Sequence, residues 1–440
     1  MKKVFILSMA VVLSVAVIAS DHVMDATKSH KHAQSPETVS LSLEEAQEFA
    51  VKQNRSLKNA SLAVQEAYAQ RWQTIAAMLP QVDGSYAYSN YFGYSAQMGN
   101  FNISMPNQGA FGVSATIGLN AQSIIGALLN TIAIDMKKIS LEQSESELRG
   151  NVMASYVSVL ALQSITNLLD SSLANIQNLE EITQKAVLAG ASEQTAADQI
   201  RVRVNTMKNS INQQKRSIEL ANNSLKVLLD VPVETELVLT ENLEEVLSPD
   251  RVIALLGQNF ILENNLSYQL LEKQVDLANK NLHMAGWAYG PTLSLAYNYS
   301  NQQYYGEGGM RMTPPNVLQA TVRMPLWSSG KRAAGVVEKK IALEEAKNTL
   351  SETTDNLEIQ YRQLCFNLTN AYETYINEKD NIEVSQRVFN SATEKFKWGA
   401  ASNLELTNAS NDLINAESTY VQSILSLVNA QVELEKFLNN

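Results

Sequence analysis

Few residues of this chain have the types and spacing that catalytic or metal chemistry requires. Three of the four histidines, His22, His30 and His32, lie in a polar segment near the N-terminus, where they could form a metal-binding tract. No further ligands stand nearby at useful spacing, so we interpret the segment as a disordered leader. His283 lies in a helical pattern and is interpreted as a packing or interfacial residue. The sequence therefore predicts no metal site and no cofactor.

The other chemically suggestive motifs also have simple structural interpretations. Residues 306–309 form a glycine-rich run, but the run lies between two strand-like segments and is typical of a flexible external turn. The single cysteine, Cys365, lies in a helical pattern and cannot form a disulfide within one chain. The sequence contains no recognisable nucleophile motif. We therefore expect no catalytic residues and no enzymatic activity.

The N-terminus has the pattern of a secretory signal. Lys2 and Lys3 precede an apolar run that ends at Ala19, which predicts a signal peptide over residues 1–20 and a leader over residues 21–40. No other stretch approaches the ~20 apolar residues of a membrane helix, so an inner-membrane protein is not expected. Removing both lysines changes the net charge from −11 to −13, which argues against a nucleic-acid partner.

The elements that must position any site occur twice along the chain. Landmark residues recur at an offset of 209 or 211 residues, which predicts two tandem repeats over residues 41–240 and 241–440. Each repeat has a helix, a proline, two strand-like segments and a long helical hairpin in the same order. The recurring pairs are Asn54 and Asn265, Pro80 and Pro291, and Gly190 and Gly399.

Alternation of apolar and polar residues predicts four strands, at about 82–91, 111–120, 292–301 and 317–324. Each is about as long as the ~9 to 11 residues of a membrane-crossing strand, and eight tyrosines crowd the region as an aromatic girdle would. Four strands cannot close a barrel, and open edges are costly in lipid, so three copies with twelve strands are expected. The alternative is a soluble β-layer that packs one face on a core.

Long stretches without helix breakers predict two helical hairpins, at about 132–230 and 333–438. Heptad spacing in the second hairpin indicates supercoiled packing, and such a helix approaches ~100 Å in length. The fold class is therefore mainly α with a small β part. A soluble coiled coil would explain the helices equally well, but it would not explain strand pairs at corresponding places in both halves.

Four segments resemble the TolC family of outer-membrane efflux and secretion channels. They are the opening at 41–46 (LSLEEA), the strand-to-helix junction at 324–330 (MPLWSSG), and the turn at 396–409 with its weaker echo at 187–192. The resemblance implies a homotrimer in the outer membrane of a Gram-negative bacterium, with a twelve-stranded barrel in lipid and a helical tube in the periplasm. It also implies a periplasmic adaptor protein and an inner-membrane transporter as partners, whereas the transported substrate is left open.

The resemblance also implies roles for residues at the hairpin turns. In relatives, acidic residues past the second turn ring the periplasmic entrance; Glu405 matches this pattern and Asn408 departs from it, with Asp198 as a further contributor. The alternative for Glu405 is a solvated helix carboxylate. The turn residues that would dock the adaptor are Gly190, Ser192, Gly399 and Ser402.

Arg323 shares a strand face with Gln319 and Thr321, so in a membrane barrel it would point into the lumen, where a charge is tolerated. Three functions remain, in order of preference. They are an export channel, a non-porous periplasmic coiled-coil scaffold and a secreted enzyme of unrecognised type.

Overall fold

A computed structural model describes residues 38–98, 101–190, 192–246, 248–305 and 314–438. The predicted signal peptide and residues 21–37 of the leader lie outside these ranges, as does the run at 306–309. The end of the leader differs from the prediction. Thr38–Leu41 forms strand β1 because its main chain pairs in parallel with Glu236–Leu239 and Leu41 is buried in the core.

The described chain is mainly helical with a small β part, which confirms the predicted fold class at that level. The strands are β1 (Thr38–Leu41), β2 (Gln81–Ser89), β3 (Ser95–Met98), β4 (Phe101–Ser104), β5 (Asn107–Leu119), β6 (Glu236–Leu239), β7 (Thr292–Tyr305) and β8 (Asn316–Arg323). The helices are α1 (Leu43–Gln53), α2 (Arg55–Ala76), α3 (Ala121–Leu188), α4 (Gln194–Leu229), α5 (Leu243–Val246), α6 (Pro249–Leu256), α7 (Leu266–Gly286), α8 (Lys331–Lys397) and α9 (Asn403–Leu438).

The first half of the chain begins with a helix that has a side-chain cap, and an asparagine caps a later helix at the corresponding point of both halves. Ser42 and Glu45 form a reciprocal capping box at the start of α1. Asn54 then ends α1 and caps α2, because its side chain accepts hydrogen bonds from the amides of Ser56 and Leu57. Asn265 caps α7 in the same way. The single opening helix predicted for the first repeat is therefore divided in two at Asn54.

The first hairpin is longer than predicted because α3 starts directly after β5, whereas the second starts at Lys331, close to the predicted residue 333. Asn120 ends β5 and caps α3 by accepting a hydrogen bond from Ser123 N at 2.7 Å. Gly330, with a φ of +81°, turns the chain from β8 into α8. At 1.5 Å per residue, α3 and α8 each extend ~100 Å, and each returns through a short turn to α4 or α9.

Buried side chains form two separate clusters along the helices. The central cluster packs all the helices except α7 around residues such as Val152, Tyr156 and Leu427. The tip cluster lies near the hairpin turns and draws only on α3, α4, α8 and α9, including Leu179, Ile200 and Leu406. The expectation that only the N-terminal run is as apolar as a membrane helix was wrong. A stretch within α3 is long and apolar enough by composition to cross a membrane, and half of it is buried inside the protein, as in a core helix.

Candidate functional site

The four long strands form one antiparallel sheet in the order β2-β5-β7-β8. The register places apolar residues opposite apolar residues and polar residues opposite polar residues over most of the sheet. Because paired residues point to the same side, each side of the sheet keeps its character from strand to strand. Leu119 lies opposite Leu293, and Leu293 lies opposite Val322. One face of the sheet is thus apolar and aromatic. It comprises Val82, Tyr86 and Tyr88 of β2, Phe111, Val113, Ala115, Ile117 and Leu119 of β5, Leu293, Leu295, Tyr297 and Tyr299 of β7, and Leu318, Ala320 and Val322 of β8.

The opposite face is polar or small. Asp83 lies opposite Ser114, Ser114 opposite Asn298, and Ser294 opposite Thr321. Within the described residues no helix or second sheet covers the apolar face, and many of its side chains, such as Val82, are exposed. A sheet that has one continuous exposed apolar face and one polar face suits a wall between lipid and water.

Aromatic side chains lie at both ends of this sheet. The end far from the helices carries the predicted tyrosines, including Tyr88, whose ring centroid lies 6.1 Å from that of Tyr305. The end near the helices carries a second set that sequence reasoning missed. Trp287 is 56% exposed and Trp327 is 85% exposed, because both lie in short connections rather than in strands. The signal in the sequence was their position shortly before and after a strand.

Arg323 is the last residue of β8 and is exposed. Its carbonyl oxygen lies 3.4 Å from Thr292 Oγ1, which donates to it, and its side chain shares the polar face with Gln319 and Thr321. Arg323 also lines a small cleft of about 150 Å³ beside Asn120 and Trp287, where the sheet meets the helices.

The second hairpin turn brings several predicted site residues together. Gly399 has a φ of +68°, and Ala400 N donates to Lys395 O at 2.8 Å, which closes the end of α8. Ser402 then caps α9, because its Oγ accepts a hydrogen bond from Glu405 N at 3.1 Å.

A groove of about 700 Å³ runs between α8 and α9 beside this turn. Ser402, Glu405 and Asn408 line it, and Glu405 and Asn408 are exposed. Sequence reasoning missed Asp412, which lies in the same groove seven residues after Glu405, a spacing that keeps it on the same helix face. It also missed Arg387 and Lys395, which bring positive charge to the groove from α8.

The first hairpin turn is built differently. Gly190 has a positive φ of +73°, and Gly399 has a positive φ of +68°, but Glu193 at the start of α4 makes no side-chain capping bond. Ser192 is half-buried beside the turn. Asp198 does not line the groove of Glu405; its carboxylate is exposed and accepts a hydrogen bond from Gln194 at 3.1 Å. The structure therefore places Asp198 and Glu405 on different hairpins and does not join them in one site.

Among the polar contacts between the two hairpins, the following two lie nearest to the turns. Arg203 of α4 donates to the carbonyl oxygen of Thr407 on α9 at 3.3 Å, and burial lowers the pKa of its guanidinium. Ser172 of α3 donates to the Glu417 carboxylate of α9, and both side chains are almost fully buried. Burial raises the pKa of Glu417 above its ordinary value.

Comparison with known proteins gives one family. Residues 48–230 and 259–440 match the model of a family described as outer membrane efflux protein. The cation efflux system protein CusC of Escherichia coli is 23% identical over 400 residues, which cover 84% of this chain and 80% of CusC. The toluene efflux pump outer membrane protein TtgC of Pseudomonas putida is 22% identical over 407 residues, with 88% and 80% covered.

Solved structures share the fold. A CusC crystal structure superposes with a TM-score of 0.76 at 18% identity and covers 93% of this chain and 95% of its own. The outer membrane protein VceC of Vibrio cholerae superposes with a TM-score of 0.73 at 12% identity, with 90% and 96% covered.

Proposed function

The chain belongs to the outer membrane efflux protein family, and from this premise we propose that it is the passive outer-membrane duct of an export system. Three copies would close a barrel of twelve strands in the lipid of the outer membrane of a Gram-negative bacterium. Their long helices would continue as a tube into the periplasm. The chain itself performs no chemistry in this proposal, and the energy comes from an inner-membrane transporter that is reached through a periplasmic adaptor protein.

The sheet is the observation that carries this proposal. Its apolar face is continuous over four strands, yet β2 and β8 each have one edge without a partner in the described residues. Unpaired backbone groups are costly in lipid, so the edge of one copy needs the edge of another. All neighbouring strands in the sheet are antiparallel, so the two edge strands β2 and β8 also run in opposite directions. The β8 strand of one copy can therefore pair with β2 of the next copy in the same antiparallel manner.

Arg323 fits the lumen in this arrangement. It shares the polar face with Gln319 and Thr321, and that face would line the water-filled interior. We assign the apolar face to lipid and the two aromatic sets to the two membrane interfaces.

The periplasmic entrance would lie at the hairpin turns. Threefold symmetry would bring three copies of Glu405 towards one axis, where carboxylates attract cations. Asn408 supplies no charge one turn further along α9, and Asp198 lies on the other hairpin, where it would contribute from the side. The proposed adaptor contacts are Gly190 and Ser192 at one turn and Gly399 and Ser402 at the other. They lie at the ends of the hairpins, where Ser192 is half-buried and the other three are exposed.

The proposal is tested by purifying the mature protein in detergent and recording single-channel currents in planar bilayers. A trimer by cross-linking, with stable conductance, is the expected result. Replacing Glu405→Ala should lower the preference for cations over anions, whereas the control Glu373→Ala, an exposed carboxylate in the middle of α8, should leave it unchanged. A water-soluble protein without conductance would overturn the duct and favour the scaffold.

A further inference from the structure

The contact between Ser172 and Glu417 lies between the fully buried residues of the central cluster and those of the tip cluster. Ser172 lies 18 residues before Gly190 and Glu417 lies 18 residues after Gly399, so both are ~27 Å from the hairpin turns. The fully buried residues of the tip cluster begin just below this level, at Ile176 of α3, and the half-buried Leu169 and Leu173 beside Ser172 pack against them. The central cluster ends above it, at Ala161 and Ile424 of the same two helices.

Burying the carboxyl group of Glu417 at this position costs free energy. It is 2% exposed and Ser172 is 3% exposed. One carboxylate oxygen accepts the Ser172 hydroxyl, while the other, Oε2, is buried and has no hydrogen-bond partner within the described ranges. A buried carboxylate with half of its hydrogen bonds missing is much easier to accommodate when it is protonated.

The ionisable neighbours do not relieve this cost. Burial is the main influence on the pKa of Glu417 and raises it, and the bond from Ser172 lowers it by less. The ionisable side chains at the same level of the packed helices are exposed, apart from the half-buried Glu378, whose carboxylate accepts a hydrogen bond from Thr419. They are Asp170 on α3, Lys208 on α4, and Glu378, Lys379, Asp380 and Glu383 on α8.

The contact joins the two hairpins. Ser172 belongs to the hairpin of α3 and α4, and Glu417 belongs to the hairpin of α8 and α9. Closer to the turns, the hairpins are held together by the tip cluster and by the bond from Arg203 to Thr407. Ionisation of Glu417 would favour a state in which α9 moves away from α3 and water reaches the carboxylate, and such a movement would displace the tip of the second hairpin.

We propose that Glu417 is a proton-dependent latch between the two helical hairpins, closed when the carboxyl is protonated and released when it ionises. The sign follows from the geometry. A group with a higher pKa in the closed state than in the open state stabilises the closed state fully at pH values below the open-state pKa. That stabilisation is lost as the pH rises through the closed-state pKa. Each unit between the two pKa values changes the ratio of closed to open tips about tenfold.

Movement of the tips can be measured without any assumption about transport. Spin labels on the exposed alanines of the two turns, Ala189→Cys and Ala400→Cys in a Cys365→Ser background, report the distance between the hairpins by pulsed electron paramagnetic resonance. Diluting labelled chains into excess unlabelled chains confines the measurement to one protomer. We expect the distance in the wild-type background to increase as the pH rises above about 4.5, the ordinary pKa of glutamate.

Three variants identify the titrating group. Glu417→Gln, a neutral side chain of the same shape, should keep the short distance at every pH. Ser172→Ala removes the hydrogen bond that the closed state offers to the Glu417 carboxylate, so opening should be more complete at high pH and should begin at no higher pH than in the wild type. This variant keeps the test open if Glu417→Gln fails to fold. The matched control Asp170→Asn removes an exposed carboxylate at the same level and should behave as the wild type.

A distance that does not change with pH, or a Glu417→Gln variant that titrates as the wild type does, would overturn the latch. The inference rests on the proposed duct only for its effect on transport, so conductance is measured on the same samples. Tips that move in a protein without conductance would support the latch and reject the duct. Conductance without any pH-dependent movement would support the duct and reject the latch.

Discussion

The central and tip clusters are built from the same long helices, but they differ in how many elements hold them. In the central cluster, short helices and the β1–β6 pair surround the hairpins, and Tyr156 OH donates to Leu41 O at 3.0 Å. Among the residues that the structure describes, the tip cluster consists of the four hairpin helices alone. Local stability rises with the number of elements that pack together. The same long helices are therefore expected to be stable in the middle and to open more easily at the tips.

The largest expected effects come from removing one buried leucine in each region. Leu427→Ala in the central cluster should lower the free energy of unfolding by ~3 kcal/mol, because its side chain is fully buried. Leu406→Ala, 1% exposed in the tip cluster, should lose a similar packing energy, but mainly as local opening. Thermal unfolding in detergent should therefore shift more for Leu427→Ala, and amide hydrogen exchange in α9 near Leu406 should rise more for Leu406→Ala. Equal thermal shifts with unchanged local exchange would contradict the comparison.

A smaller effect is expected at the asparagines that interrupt the helices. Asn54→Ala should cost ~2 kcal/mol, because it removes both the cap of α2 and the bond from Asn54 Nδ2 to Leu228 O at 3.0 Å. Asn265→Ala removes a helix cap alone and should cost ~1 kcal/mol. The difference between the melting temperatures of the two variants measures how much the hydrogen bond from Asn54 to Leu228 stabilises the central region. Identical shifts would show that this tie contributes nothing.

The smallest expected effect is at the second turn. Gly399→Ala should destabilise the turn by ~1 kcal/mol, because its φ of +68° disfavours a side chain although an added Cβ would meet no atom within 4 Å. The control Gly335→Ala lies inside α8, also with open space, and should stabilise the helix by up to ~1 kcal/mol. Hydrogen exchange near each site reports both changes. A loss at Gly335 would mean that its surroundings, not its helix position, decide the outcome.

Much of the architecture could be predicted because it depends on local periodicity. The alternation around Leu293 and Leu295 predicts a strand, and the heptad spacing after Ala333 predicts a long helix, without knowledge of any partner. The predicted start of the first hairpin was late because Asn120 begins α3 immediately after β5, which hydrophobic periodicity alone does not show. The start of α8 at Lys331 lies only two residues before the predicted one.

The features that sequence reasoning missed depend on contacts between distant segments. The burial of Glu417 results from packing against Ser172, 245 residues earlier in the chain, and an isolated glutamate in a helical pattern has the sequence signature of a solvated residue. The positive charges opposite Glu405 come from the preceding helix of the hairpin and depend on its exact pairing. Asp412 was accessible in principle, because the seven-residue spacing from Glu405 is visible in the sequence.

The open edges of the sheet have a consequence for how the protein reaches its membrane. In the proposed trimeric barrel, a single copy that enters lipid would expose the unpaired backbone of β2 and β8, so insertion and association would be coupled energetically. The rate of assembly should therefore depend steeply on the concentration of newly exported chains. A truncated chain that keeps β2 but lacks β8 could join such an assembly and block its completion. It would therefore have a dominant-negative effect on the full-length protein produced in the same cell.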